Sequence, residues 1–209
     1  MDGAAFSSSV FINCPFDKAY EPILQAVLFC VVYAGLTPRL ATESADGGAV
    51  RLHKIRDMIV GSRYSIHDLS RIQASKKGEY FRLNMPFELG LDYGCREFHG
   101  HGRDAKKMLI LESKPYRYQA ALSDLAGCDI ASHSDDYQVA VRKTRNWLVS
   151  EAAVTLEGSA RILGAYADFQ EWYYERQLAA GFDEDDIKDY PTAELLTAMT
   201  EWVAAGKPV

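Results

Sequence analysis

Three short segments of this chain gather side chains fit for acid–base or nucleophilic chemistry. They are Asn13-Cys14-Pro15-Phe16-Asp17, His67-Asp68-Leu69-Ser70 and Asn84-Met85-Pro86-Phe87-Glu88-Leu89-Gly90. Glu88 is the leading candidate. It is expected in the first turn of a helix with Asn84 as N-cap, where the partial positive charge of the helix N-terminus favours the ionised carboxylate. A carboxylate so placed, outside apolar surroundings, suits a nucleophile or a cation stabiliser better than a proton donor. The same spacing is also that of an ordinary dipole-favourable capping residue. Asp68 has an equally plain alternative as an N-cap or Asx turn closing a strand, His67 as a hydrogen-bonded surface or core histidine, and Asn13 as a turn former.

The elements that must hold these segments alternate strand and helix. Residues 9–14 read as a buried strand ending at Pro15. Residues 17–34 read as a helix with a wide apolar stripe (Ile23, Leu24, Val27, Leu28, Val31, Val32), regular from Glu21 or Pro22 and stopped by Gly35. A second strand is expected over 36–42, followed by the turn-forming Asp46-Gly47-Gly48, and a second helix over 50–60. A third strand is expected over 63–69. Residues 71–83 read as an exposed basic loop with Arg71, Lys76, Lys77 and Arg82, and residues 85–98 as a third helix. Strands over 107–111 and 128–131 follow, with a short helix over 116–124 between them and another helix over 136–151.

This alternation predicts an α/β fold: a doubly wound, parallel five-stranded sheet in the flavodoxin-like order 2-1-3-4-5. In such a sheet ligands bind beyond the carboxyl ends of the strands where the order reverses, here between the first and third strands. All three segments fall at that crevice. Beyond residue 151 the β pattern stops. Helices are expected over 153–180 and 192–204, joined by the acidic stretch GFDEDDIKDYP, which lacks calcium-loop spacing and reads as a solvated turn.

Composition sets the outer limits. With 209 residues, 48% hydrophobic and 25% charged, the chain has the make-up of a folded globule and excludes a disordered one. Residues 1–150 carry 19 Lys+Arg against 17 Asp+Glu, and residues 151–209 carry 4 against 12, so nets of +2 and −8 give the overall −6. That balance argues against a protein that coats nucleic acid or anionic membrane. It also marks two pieces, an α/β domain over 1–150 and an acidic helical extension over 151–209. Cys14, Cys30, Cys95 and Cys128 form no CxxC or Cys/His cluster, so they read as thiols and not as a metal site or disulfide frame. With no secretory signal and no apolar run of about 18 residues, the expected location is cytoplasmic.

Taken together, FINCPFD, an apolar helix ending in glycine, ADGG, KIRDMIVGSRYSIHDLS and NMPFELG resemble the TIR-like branch of the flavodoxin-like folds. Ile55, Ile59, Ser62, Ile66, Leu69 and Ser70 match its helix-plus-strand pattern, and Met85-Pro86-Phe87-Glu88-Leu89 stands where TIR domains carry Trp-Cys-x-x-Glu-Leu. The tryptophan and cysteine are replaced. The FELG ending is similar to the nucleoside 2-deoxyribosyltransferase-like family, whose glutamate attacks an anomeric carbon. The resemblance covers about residues 9–133.

Both families break an N-glycosidic bond, so the resemblance implies an N-glycosidase with Glu88 beneath the anomeric carbon of an oxocarbenium-like transition state. NAD enters as substrate and not as cofactor, and no other cofactor is implied. A cationic nicotinamide leaves unaided, whereas a purine or pyrimidine must be protonated, which makes Asp68 or His67, if raised in pKa, the acid. Asp92 and Tyr93 are then placed to hold ribose hydroxyls, and Asn13, Gly47 and Gly48 to donate to phosphates, with Phe16, Asp17, Asp46 and Asn84 lining the crevice. The alternatives are a nucleoside or nucleotide deoxyribosyltransferase and a non-catalytic binding module. A homo-oligomer through the aromatic C-terminal helices (Trp172, Tyr173, Tyr174) is expected in any of these cases.

Overall fold

Five parallel strands form the centre of the chain in the order β2-β1-β3-β4-β5, the order expected from the sequence. The structure is a computed structural model that describes residues 3–43, 45–74, 77 and 82–206. In chain order the elements are α1 (Gly3–Ser8), β1 (Ser9–Asn13), α2 (Glu21–Tyr33), β2 (Thr37–Arg39), α3 (Arg51–Gly61), β3 (Tyr64–Asp68) and α4 (Asn84–Phe98). After these come β4 (Lys107–Glu112), β5 (Ile130–Ser132), α5 (Tyr137–Glu151), α6 (Ser159–Ala179), α7 (Glu184–Lys188) and α8 (Thr192–Ala204). Of the basic segment, Lys76 lies outside the described residues.

Because side chains alternate along a strand, each strand serves two different layers. Val10, Ile12, Tyr64, Ile66, Leu109 and Leu111 pack with α2 and α5 on one face. Phe11 meets Ile55, Met58 and Ile59 of α3 on the other, and Ile110 meets Met85 and Leu89 of α4. α2 is buried on nearly every side, from Ile23 through Tyr33. A helix apolar all round must be enclosed, and α6 and α8 complete the enclosure. The Phe29 ring lies 5.2 Å from Tyr166, 5.5 Å from Phe169 and 5.8 Å from Trp202, centroid to centroid. Such aromatic pairs add about 0.5–1.5 kcal/mol each beyond the area they bury. The C-terminal helices therefore share one core with the sheet. Their aromatic side faces inward: Tyr173 is buried against Phe169, Trp172 is half-buried and only Tyr174 is exposed.

One element, α1, was not anticipated, and several local expectations are corrected. The N-terminal segment is helical, and α1 is anchored by Arg63 N–H donating to the Phe6 carbonyl and by the Arg103 guanidinium over the Phe6 ring. β2 is only three residues long, because Ala41–Glu43 turns into a 3-10 helix in which Glu43 takes a two-pronged bond from Arg39. The helix expected over 116–124 is two 3-10 turns, with Tyr116 at φ +61° ahead of the first. α6 starts at Ser159 and not near residue 153, where Ala153 has φ +53°. Arg145 of α5 ties down the intervening chain by donating to the carbonyls of Leu156 and Glu157. The acidic stretch expected to be a turn contains α7, nucleated by a capping box between Asp183 and Asp186.

Among the described residues, no helix is long and apolar enough to cross a membrane. Cys14 and Cys30 are buried and Cys95 and Cys128 half-buried, all four as free thiols.

Candidate functional site

His67 and Asp68 are adjacent at the end of β3, and strand alternation sends them to opposite faces of the sheet. On the α2 side, the Asp68 carboxylate accepts from Tyr20 Oη at 2.7 Å, from His133 Nε2 at 2.8 Å and from the Ser70 backbone N–H at 2.7 Å. The last of these is the Asx bond anticipated as its alternative role. His133 Nδ1 accepts from the Asp135 backbone N–H at 3.2 Å, which places the imidazole proton on Nε2. Ser70 Oγ lies 3.0 Å from that same Nε2. Serine, histidine and aspartate thus meet without forming a nucleophilic triad, which needs the acid and the hydroxyl on different ring nitrogens.

Burial alone would raise the Asp68 pKa. The hydrogen bonds from His133, Ser70 and Tyr20 outweigh it and leave the carboxyl below its ordinary value. Asp68 is therefore ionised and does not meet the condition set for a proton donor. A depressed folded pKa stabilises the fold above the unfolded value of about 3.9 and loses that contribution as pH falls through the folded value. Asp68→Asn should therefore lower the melting temperature at neutral pH and flatten the acid limb of the stability curve; thermal melts across a pH series check this.

On the other face, Asn13 Nδ2 donates to the Met85 carbonyl at 2.8 Å and lies 3.0 Å from His67 Nδ1. His67 Nε2 meets Asp92 Oδ2 at 2.9 Å, and Lys106 Nζ lies 3.0 Å from Asp92 Oδ1. Lys106 also donates to the carbonyls of Ile59 and Ser62 at the end of α3. All four side chains are buried. Burial pushes the Asp92 carboxyl up, but His67 and Lys106 hold it below its usual value. Asp92 thus has no surface to offer a ribose. His67, bonded at both nitrogens, has no free proton for a leaving base. Together the four brace β1, β3, α3 and α4.

Glu88 differs from these. It is the fifth residue of α4, past the first turn, which contains no acidic residue. Asn84 is the first helical residue and not the cap, and the N-cap position, Leu83, makes no side-chain bond. Glu88 therefore does no capping. It is only 6% exposed, and its carboxylate oxygens are not among the sealed, unpartnered polar atoms of the described residues. Burial raises its pKa, and the positive charge of Arg51 at the start of α3 opposes that rise. The side chain is thus more enclosed than its position near a helix start suggests. Its charge is felt at Cys14, whose thiol is pushed well up by burial first and then by Asp68, so that sulfur is protonated and no nucleophile.

The remaining crevice candidates lie around it. Phe16 is exposed. Asp17 pairs with Arg82 Nη1 at 2.9 Å and lies 3.5 Å from Arg71 Nε. Asp46 Oδ1 accepts from Gly48 N–H at 2.9 Å, an Asx turn that leads with Gly47 into α3 and so toward Arg51. Asn84 is exposed, and Tyr93 carries the Arg96 guanidinium 4.6 Å above its ring. A cavity of about 750 Å³ lies elsewhere, against β4, β5 and α5, and Glu88 does not line it.

Sequence reasoning missed Tyr20, Arg51, Lys106 and His133. Only His133, directly after a strand, carried a signal, since strand ends converge at this edge of the sheet. Among the described residues no group of His, Cys, Asp and Glu has the arrangement of a metal site. Comparison with protein-family models, curated proteins and solved structures finds no match to this chain.

Proposed function

We propose that the chain is an N-glycosidase of the TIR-like kind, in which Glu88 promotes cleavage of a ribosyl–base bond in a nucleotide, NAD being the first substrate to consider. One observation carries the reading: at the β1/β3 crevice Glu88 is nearly buried, and burial raises the pKa of its carboxyl. Taking a carboxylate even partly out of water is costly. It becomes useful where positive charge develops beside it, because attraction across a weakly polar site exceeds that in water. An oxocarbenium ion supplies that charge. The C1′–N bond breaks with its electron pair leaving on the base, Glu88 supports the cationic C1′, and water adds there and releases a proton.

The neighbouring groups favour a leaving group that needs no protonation. Asp68 and Asp92 are held below ordinary carboxylate pKa values. The described histidines at this sheet edge already hold their ring nitrogens in hydrogen bonds. A pyridinium base such as nicotinamide becomes neutral as it leaves and asks for no acid. The resemblance of NMPFELG to both glutamate-dependent families points the same way.

The test incubates the purified chain separately with NAD, 2′-deoxynucleosides and 2′-deoxynucleotides, and resolves released bases by chromatography. Nicotinamide release is the expected result. Base exchange between deoxynucleosides would move the protein to the deoxyribosyltransferase type, with Glu88 as nucleophile. No release from any substrate at high protein concentration would leave a nucleotide-binding module as the better reading.

A further inference from the structure

The helix that carries Glu88 has two apolar faces, and the fold covers only one. Met85, Glu88, Leu89 and Asp92 of α4 turn inward. Opposite them, Phe87, Gly90, Leu91, Gly94 and Phe98 fall within an arc of about 100° at 3.6 residues per turn. Leu83 extends the line beyond the helix start. Phe98 is 88% exposed and Phe87 55%, with Leu83 and Leu91 also exposed. A Cβ on Gly90 would meet nothing within 4 Å, and one on Gly94 only the Phe98 ring at 4.0 Å. Single exposed hydrophobic residues need no explanation, but a continuous stripe three turns long does.

We propose that this stripe is the two-fold interface of a homodimer, in which α4 packs antiparallel against α4 of a second copy. The order of its residues argues for a copy of itself over any other partner. An isologous interface requires a patch that matches itself after a half-turn. Phe87, Gly90, Gly94 and Phe98 read aromatic–glycine–glycine–aromatic, nearly symmetric about position 92. A half-turn about that point sets Phe87 of one copy over Phe98 of the other and glycine against glycine. The aromatic pair spans about 16 Å along the axis at 1.5 Å per residue. The central glycines bring the helix axes to the near end of the usual separation of about 8–10 Å.

The area agrees. With roughly 200 Å² for a whole aromatic or leucine residue, the stripe exposes on the order of 500 Å². The flanking Tyr93 and Glu97 bring it toward the approximately 800 Å² per partner of a standard interface. This assigns association to α4 and not to the C-terminal helices, whose aromatic side is turned inward. It is independent of what Glu88 does.

Sedimentation velocity on the full chain over a micromolar concentration series tests it. The mass should rise from that of the 23.3 kDa chain to its double. Phe98→Asp should weaken association by at least about 30-fold, the loss typical of an aromatic hot spot. Gly94→Leu should weaken it too, by holding the helices apart. Neither residue packs in the core, so circular dichroism and melting temperature should hold. Under oxidation Leu91→Cys, one residue from the symmetry point, should cross-link beyond the wild-type level, and Tyr174→Cys on α6 should not. A monomer at every concentration, or a dimer indifferent to both Phe98→Asp and Gly94→Leu, overturns the proposal.

Discussion

Glu88→Gln should reduce base release by about 10²–10³-fold, the scale on which preorganised charge acts in a transition state, without lowering the melting temperature at neutral pH. The substitution keeps shape and removes charge. Stability should respond with the opposite sign to that of an ordinary surface carboxylate. Burial puts the folded-state pKa of Glu88 above its unfolded value of about 4.3. The contribution from proton binding is therefore full below the unfolded pKa and lost as pH rises through the folded one. At neutral pH the ionised side chain is a cost to the fold, so the glutamine variant should melt at or above the wild-type temperature. On acidification the wild-type chain should gain on the variant. Paired melts across pH, beside turnover, decide the matter. A variant that melts several degrees lower at neutral pH while still turning over would make Glu88 a structural residue. Wild-type turnover should rise with pH as Glu88 ionises, and a fall over the same range would recast it as an acid.

The second large effect lies beneath the crevice. Lys106→Met should cost about 3–5 kcal/mol, because it leaves the buried, ionised Asp92 with the His67 hydrogen bond but without its ammonium partner. For a chain of this size that corresponds to a fall in melting temperature of roughly 10 °C. The carbonyls of Ile59 and Ser62 lose their donor in the same step. Adding Asp92→Asn should recover part of the loss, since the orphaned charge goes with it. Urea unfolding of the single and double variants gives the coupling directly. A Lys106→Met variant within 1 kcal/mol of wild type would sink the view of this pair as a brace.

The sheet was legible because the order of short apolar runs and helical stripes carries it. SVFIN, YSIHD and KMLILE are apolar or β-prone enough to stand out, and parallel connection then leaves little freedom in strand order. Glu88 was legible as a residue at the start of a helix, but its environment was not. Spacing places a carboxylate on a helix and says nothing of what desolvates it, so the expected exposed and readily ionised group is a buried one with a raised pKa. The networks around His67 and Asp68 were illegible for another reason. Lys106 and His133 are distant in sequence from the aspartates they meet, and their composition is that of any surface cation and any loop histidine. Only the alternation along β3 hinted that two adjacent residues would serve opposite faces. α7 was missed because its acidic run resembles a solvated turn unless the reciprocal bonds of Asp183 and Asp186 are seen.

The enclosure of α2 sets an order of events during synthesis. A ribosome adding about 5–20 residues per second releases α2 on the order of ten seconds before α6 follows. Through that interval Phe29 and its neighbours lack Phe169 and Trp202, the rings that close over them. The nascent chain carries a helix apolar on every side with half its covering still unmade, the kind of surface to which holding chaperones bind. The last helices, compositionally apart and acidic, thus work as a closing clasp: until they dock, the earlier part of the chain is a folding intermediate prone to clump, and translation speed through residues 159–204 governs how long it stays one.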